Sequence, residues 1–138
     1  MGVLRCDHPD IEAFVAAKAD PQLLRHFNVS VMVSDAFMDA VKKNAEWALV
    51  FPAHAGEQGE MVQRQWGNKV GLVPCRVYRR IKARELWNKI IRSAYDYAEP
   101  GVLFGDTINR MNTLWYGEQL NATNPVVKFH CQHMVRVI

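Results

Sequence analysis

The side chains best suited to chemistry in this 138-residue chain are three cysteines, two histidines near its end and a run of cations in its middle. His130, Cys131 and His133 are metal-ligand types, but so tight a cluster lacks the two-plus-two spacing of a structural zinc site, and no metal is expected there. Cys6, Cys75 and Cys131 are odd in number and far apart, which argues against a disulfide framework and for free thiols in a reducing compartment. Arg76, Arg79, Arg80, Lys82 and Arg84 form the one concentration of basic charge. It could hold an anionic ligand or, with Trp87, nucleic acid, but the net charge of only +3 favours a solvated face. Asn124, just before Pro125, reads on its own as a loop asparagine making a local turn.

Positioning these groups requires a core, and the composition provides for one modest core. With 49% apolar and 22% charged residues the chain has ordinary globular balance, enough for one domain or a piece of one. No stretch approaches the roughly 18 consecutive apolar residues of a membrane span. The N-terminus lacks the basic-then-apolar plan of a signal peptide, so a cytoplasmic protein without membrane contact is expected. Met1-Gly2 is a poor acylation signal because Cys6 stands where serine or threonine is wanted. The acceptor patterns at Asn28 and Asn121 carry little meaning without secretion.

Along the chain, extended and helical patterns alternate. Val3 to Cys6 reads as a short buried strand, and Asp7 to Asp10 supplies a cap candidate, an early proline and acidic residues for a helix through Ile11, Phe14, Val15 and Lys18, ending near Asp20-Pro21. Asn28 to Val33 is a second strand. Ser34-Asp35 can cap a helix whose apolar face is Phe37, Met38, Val41 and Ala45, and Trp47 to Phe51 is extended again. Residues 52–74 show no sustained period and are punctuated by glycines, predicting a long loop or insertion. Ala83 to Ala98 gives the strongest helical stripe, with Leu86, Ile90, Ala94 and Tyr97 on one face. Val102 to Phe104 is a strand, and Asp106 can cap a brief helix to about Asn112. The alternation predicts an α/β architecture with parallel pairing.

Several strings, in order, resemble the catalytic chain of ribonucleotide reductase, most closely the adenosylcobalamin-dependent kind. Met1 to Ile11 is similar to the strand-to-helix segment that follows the family's effector-sensing loop, and Phe27 to Val31 to its next strand. Arg76 to Trp87 and Glu99 to Phe104 resemble the helix and strand that lead to the catalytic finger loop, and Asn121-Ala122-Thr123-Asn124-Pro125 resembles the approach to the loop's tip. The resemblance covers Met1 to Pro125 and implies a ten-stranded α/β barrel of two antiparallel halves. A chain of this length is too short to close such a barrel, so a partial slice is expected, with Met1 an internal methionine.

The resemblance also implies a chemistry. In the family, cobalamin homolysis leads to a thiyl radical on a finger-loop cysteine, which removes the ribose 3′ hydrogen. A glutamate acts as base and a cysteine pair reduces the 2′ carbon. Such steps demand tight positioning and exclusion of water. The implied cofactor is adenosylcobalamin, and the implied partners are a ribonucleotide substrate, a nucleotide effector and the remaining reductase fragments. Only Asn124 matches a functional position, one that helps hold the ribose hydroxyls. Val126 and Lys128 stand where the family has the radical cysteine and the base glutamate, and neither Cys6 nor Cys75 matches the reducing pair. No cofactor is therefore expected for this chain alone.

Val126 to Ile138 resembles nothing of the family in its own frame. Codons compatible with these residues, preceded by one thymine, decode instead as Cys-Gly-Glu-Ile-Ser-Leu-Pro-Ala-Tyr-Gly-Ala-Cys-Asn, the family's own continuation. The expectation is an out-of-frame tail over 126–138, displaced by the loss of one nucleotide at the catalytic cysteine codon. An insertion after Pro125 is the rival origin. The sequence thus leaves two functions: a reductase segment inactive by itself, or a small module that binds anionic ligands through residues 76–84.

Overall fold

The computed structural model describes residues 1–18, 27–67, 71–114, 116, 117 and 119–122. In chain order the elements are β1 (Gly2–Arg5), α1 (Ile11–Ala16), β2 (Val29–Val33), α2 (Asp35–Lys43), β3 (Glu46–Pro52), β4 (Met61–Gln65), β5 (Leu72–Lys82), α3 (Ala83–Tyr97), β6 (Gly101–Phe104) and α4 (Gly105–Arg110). They build two three-stranded sheets. One is parallel with order β1-β2-β6, the other antiparallel with order β3-β5-β4. This is an open α/β assembly in which neither sheet closes on itself.

The central strand β2 is buried along most of its length because both neighbours pair with it, Leu4 opposite Val31 on one side and Val31 opposite Val102 on the other. Helices α1 and α2 pack against α3. Ala83, Leu86 and Ile90 of α3 recur on one face and meet Ile11, Val15, Val33, Phe37 and Leu49 in the main core. A smaller cluster of Ala48, Val50 and Cys75, flanked by Val62, Trp66 and Val77, holds the antiparallel sheet together.

The ends of α2 follow from its sequence. Ser34 is extended and its Oγ accepts from the Phe37 amide at 3.2 Å, while Asp35 begins the helix and Lys42 and Lys43 end it, each sign matching the helix dipole. Helix α3 ends differently, at Ala98 in the left-handed region with φ of 57°. An alanine Cβ is disfavoured there and glycine is not, so Ala98→Gly is expected to stabilise the chain by about 0.5–1 kcal/mol in urea unfolding. An unchanged or lower midpoint would show that this turn relaxes at no gain.

Three expectations require correction. The segment 52–74 is not a loop throughout: it contains β4 and the first residues of β5, paired from Met61 opposite Arg76 to Gln65 opposite Leu72. The strand β4 alternates in burial, but one of its inward positions is Arg64, so the apolar period that would reveal it is broken. Parallel pairing describes only one of the two sheets, because the β4 excursion lets β5 return antiparallel to both neighbours. Asp106 does not cap α4, which begins at Gly105 with no side-chain cap bond. Its Oδ2 instead accepts from the Asp35 amide at 2.7 Å and ties α4 to the start of α2. At α1, Asp10 likewise makes no side-chain cap bond; its own amide donates to His8 Nδ1 at 3.1 Å.

Candidate functional site

All three parallel strands point their carboxyl ends toward one cavity of about 220 Å³. Open α/β sheets characteristically bind ligands at this edge, where backbone turns outward and side chains from several strands converge. The wall draws on Arg5 at the end of β1 and Cys6 and Asp7 just after it, on Met32 to Ser34 at the end of β2, and on Gly105, Asp106 and Asn109 from α4. Trp47 of β3 and Arg64 and Gln65 of β4 close it from the antiparallel sheet.

The turn after β1 joins the two sheets. Arg5 Nε and Nη2 donate to the two carboxylate oxygens of Asp7, both at 2.8 Å, and Nη1 donates to the Gln65 carbonyl at 2.9 Å. Its guanidinium lies 4.4 Å from the centre of the Trp66 ring. Burial opposes the Arg5 charge, but the hydrogen bonds and charge of Asp7 more than offset it and move its pKa upward. The backbone repeats the link: the Val50 amide donates to Asp7 O at 2.7 Å and Trp47 Nε1 donates to Cys6 O at 3.2 Å.

Cys6 lines the cavity but is inert as a nucleophile. Burial, followed by the neighbouring Asp7 carboxylate, pushes its thiol up from the ordinary 9.0 to about 12. Because the folded value lies above the unfolded one, the protonated thiol's contribution to stability is full below about pH 9 and is lost as pH rises through about 12. Melting temperatures are expected to fall across that interval, less steeply in Cys6→Ala than in the parent. Site-resolved alkylation at neutral pH should leave Cys6 unmodified until denaturant is added; modification of the native chain at the rate of a free thiol would refute the burial.

Asn109 fixes the segment that runs toward Asn124. Its Nδ2 donates to the carbonyls of Gly105 and Leu120, each at 3.0 Å, and its Oδ1 accepts from the Leu120 amide at 2.7 Å. Residues 119–121 are thereby held as part of the cavity wall. Asn124, Val126 and Lys128, with His130, Cys131 and His133, lie outside the described residues. Cys75 is buried in β5, within the smaller cluster.

The basic run does not form one site. Arg76 pairs with Glu57, Arg79 with Glu12 and Arg80 with Glu60, while Arg84 donates to the carbonyls of Val41 and Lys42. These four cations are distributed along β5 and the start of α3 and bind acceptors on separate elements. Trp87 packs on the main core, its ring centre 6.4 Å from that of Phe37. What sequence reading missed is Arg5, Asp7, Arg64 and Asn109. Arg5 and Asp7 carried a signal in their spacing along one turn; Arg64 carried none.

Comparison with known proteins gives this cavity its context. The ribonucleotide reductase barrel-domain model matches residues 1–128. The chain is 40% identical over 126 residues to the vitamin B12-dependent ribonucleoside-diphosphate reductase of Mycobacterium tuberculosis, covering 91% of this chain and 15% of that protein. The protein of the same description from Thermoplasma acidophilum is 34% identical over 126 residues, covering 91% and 14%. A ribonucleoside-diphosphate reductase large subunit from Dictyostelium discoideum is 31% identical over 109 residues, covering 74% and 12%. The chain therefore spans about one seventh of the length of the curated relatives it matches. A match that extends from the first strand past the wall of the cavity places this chain in the ribonucleotide reductase family, as a segment of its barrel domain.

Proposed function

We propose that this chain is a segment of the catalytic chain of an adenosylcobalamin-dependent ribonucleoside-diphosphate reductase and that it does not turn over substrate by itself. The observation that carries the reading is the 40% identity over 126 residues to a relative whose name states that activity. Residues 119–121 form part of the cavity wall, and Asn124 follows three residues later in the sequence; on this reading it helps hold the ribose hydroxyls. Val126 and Lys128 occupy the positions of the radical cysteine and the base, so neither the radical nor the proton acceptor is supplied.

The described residues do not fit cobalamin by themselves. A corrin macrocycle is far larger than a cavity of about 220 Å³. Nucleotide effectors and the remaining reductase fragments belong to the whole protein on the same reading, as does a cytoplasmic location. No helix among the described residues is long and apolar enough to cross a membrane.

The displaced frame over 126–138 is part of the proposal. Reading the DNA around codons 125 to 138 tests it: a Cys-Gly-Glu frame recovered by one added base is expected, and its absence removes the idea. For the activity, the 138-residue chain is incubated with adenosylcobalamin, a dithiol and a ribonucleoside diphosphate. No deoxyribonucleotide is expected, whereas the frame-restored full-length protein should form it. Product from the short chain would overturn the inactive reading, and none from the restored protein would overturn the assignment of activity.

A further inference from the structure

We propose that the cavity at the carboxyl edge of the parallel sheet is an oxyanion site in which Arg64, delivered by β4 from the antiparallel sheet, is the cation that holds a phosphate or carboxylate group. Arg64 lines this cavity, and its Nε is inaccessible to solvent yet has no hydrogen-bond partner. An unpaired buried donor is uncommon and destabilising, and one on a charged guanidinium more so. The neighbouring charges do not relieve it. Asp7 is engaged at both oxygens by Arg5, and Asp106 accepts from the Asp35 amide. Asp35 is itself paired with Arg110. The face of Trp47, 5.3 Å from the Arg64 guanidinium, supports the cation but supplies no acceptor.

Arg64 thus presents, at the edge of a cavity with room for a small anion, a guanidinium that no carboxylate among the described residues pairs; Asp106, which accepts only from a neutral amide, is the one unpaired carboxylate of the same lining. A guanidinium presents its donors as a planar fork that matches two oxygens of a phosphate or carboxylate at once. The site is held in place by the hairpin rather than by Arg64 itself, because Arg5 bonds the Gln65 carbonyl and stacks on Trp66 one and two residues further along. This inference concerns the chain as it stands and does not require reductase activity, so it can fail while the family reading survives.

The test is titration of the 138-residue chain at low ionic strength with inorganic pyrophosphate and, separately, malonate, followed by calorimetry and tryptophan fluorescence. Saturable binding of at least one is expected, and the preferred probe identifies the headgroup as phosphoryl or carboxylate. Arg64→Gln should weaken it about tenfold or more, the effect of losing a charge-assisted hydrogen bond. Arg64→Lys, which keeps the charge without the fork, should lie between. Arg92→Gln, on the exposed face of α3, should bind like the parent, and circular dichroism checks that each variant is folded. No saturable binding of either probe by the parent, or equal affinities for the parent and Arg64→Gln, would overturn the proposal.

Discussion

Replacing Phe37 with alanine is expected to lower the unfolding free energy by about 3–5 kcal/mol, the loss seen when a fully buried aromatic is deleted and its surroundings only partly collapse. Phe37 has 0% exposure and stands where three elements meet. It projects from α2, its ring centre is 5.2 Å from that of Trp47 on β3, and it faces Trp87 of α3 at 6.4 Å, both in edge-to-face geometry. Two rigid indoles cannot close over the missing ring without moving their own strand and helix. Domains of this size have about 5–15 kcal/mol in total, so the variant should be near its unfolding threshold at room temperature. Phe37→Leu keeps most of the volume and should lose less than about 1.5 kcal/mol. Urea denaturation decides the matter: a loss below about 1 kcal/mol for the alanine variant, with unchanged slope, would mean that the three elements do not meet at this ring.

Asp7→Ala should be the next most damaging change. Asp7 is 3% exposed, and removing it leaves Arg5 with two donors unmet inside the joint between the sheets. Breaking a fully buried ion pair costs about 3–5 kcal/mol, but the Arg5 side chain is 35% exposed and water can reach part of it, so a loss of about 2–3 kcal/mol is expected. The sign of the compensating experiment is informative. Arg5→Met combined with Asp7→Leu removes both charges and restores apolar volume, and should be more stable than Asp7→Ala alone. A double variant that is less stable than the single one would show that the Arg5 contacts with Trp66 and Gln65, not its pairing with Asp7, hold the sheets together.

The elements legible in sequence were those whose own residues satisfy them. Helix α2 has its cap in Ser34 and its buried stripe in Phe37 and Val41, and α3 has Ala83, Leu86 and Ile90 at helical intervals, so both were placed within a few residues. The strand β4 was invisible because its order depends on β5, from which its hydrogen bonds come, and because its inward residues include a guanidinium. The same dependence hid the site. Asp106 carries the signature of a helix cap, and only the approach of α2 turns its carboxylate toward the Asp35 amide instead. The basic run looked like a surface in one dimension, whereas Glu12, Glu57 and Glu60, scattered along the sequence, divide it among separate elements. Family membership was legible for a different reason: ordered strings persist in sequence even where the contacts they make do not announce themselves.

The parallel sheet has a consequence for how the chain is made. Its middle strand β2 follows β1 closely, but its other partner β6 comes only after the whole antiparallel sheet and α3, with Ser30 waiting for Gly101. A ribosome releasing this segment therefore exposes a paired-on-one-side strand until α3 is complete, while β3, β4 and β5 can already zip together through nearer contacts. The open flank of β2 is the interval's weak point, a template for any extended segment that arrives first, including the same strand of a neighbouring nascent chain. Yield in the cell should consequently depend on translation speed between Lys82 and Gly101, and on chaperones that cover that flank until β6 emerges.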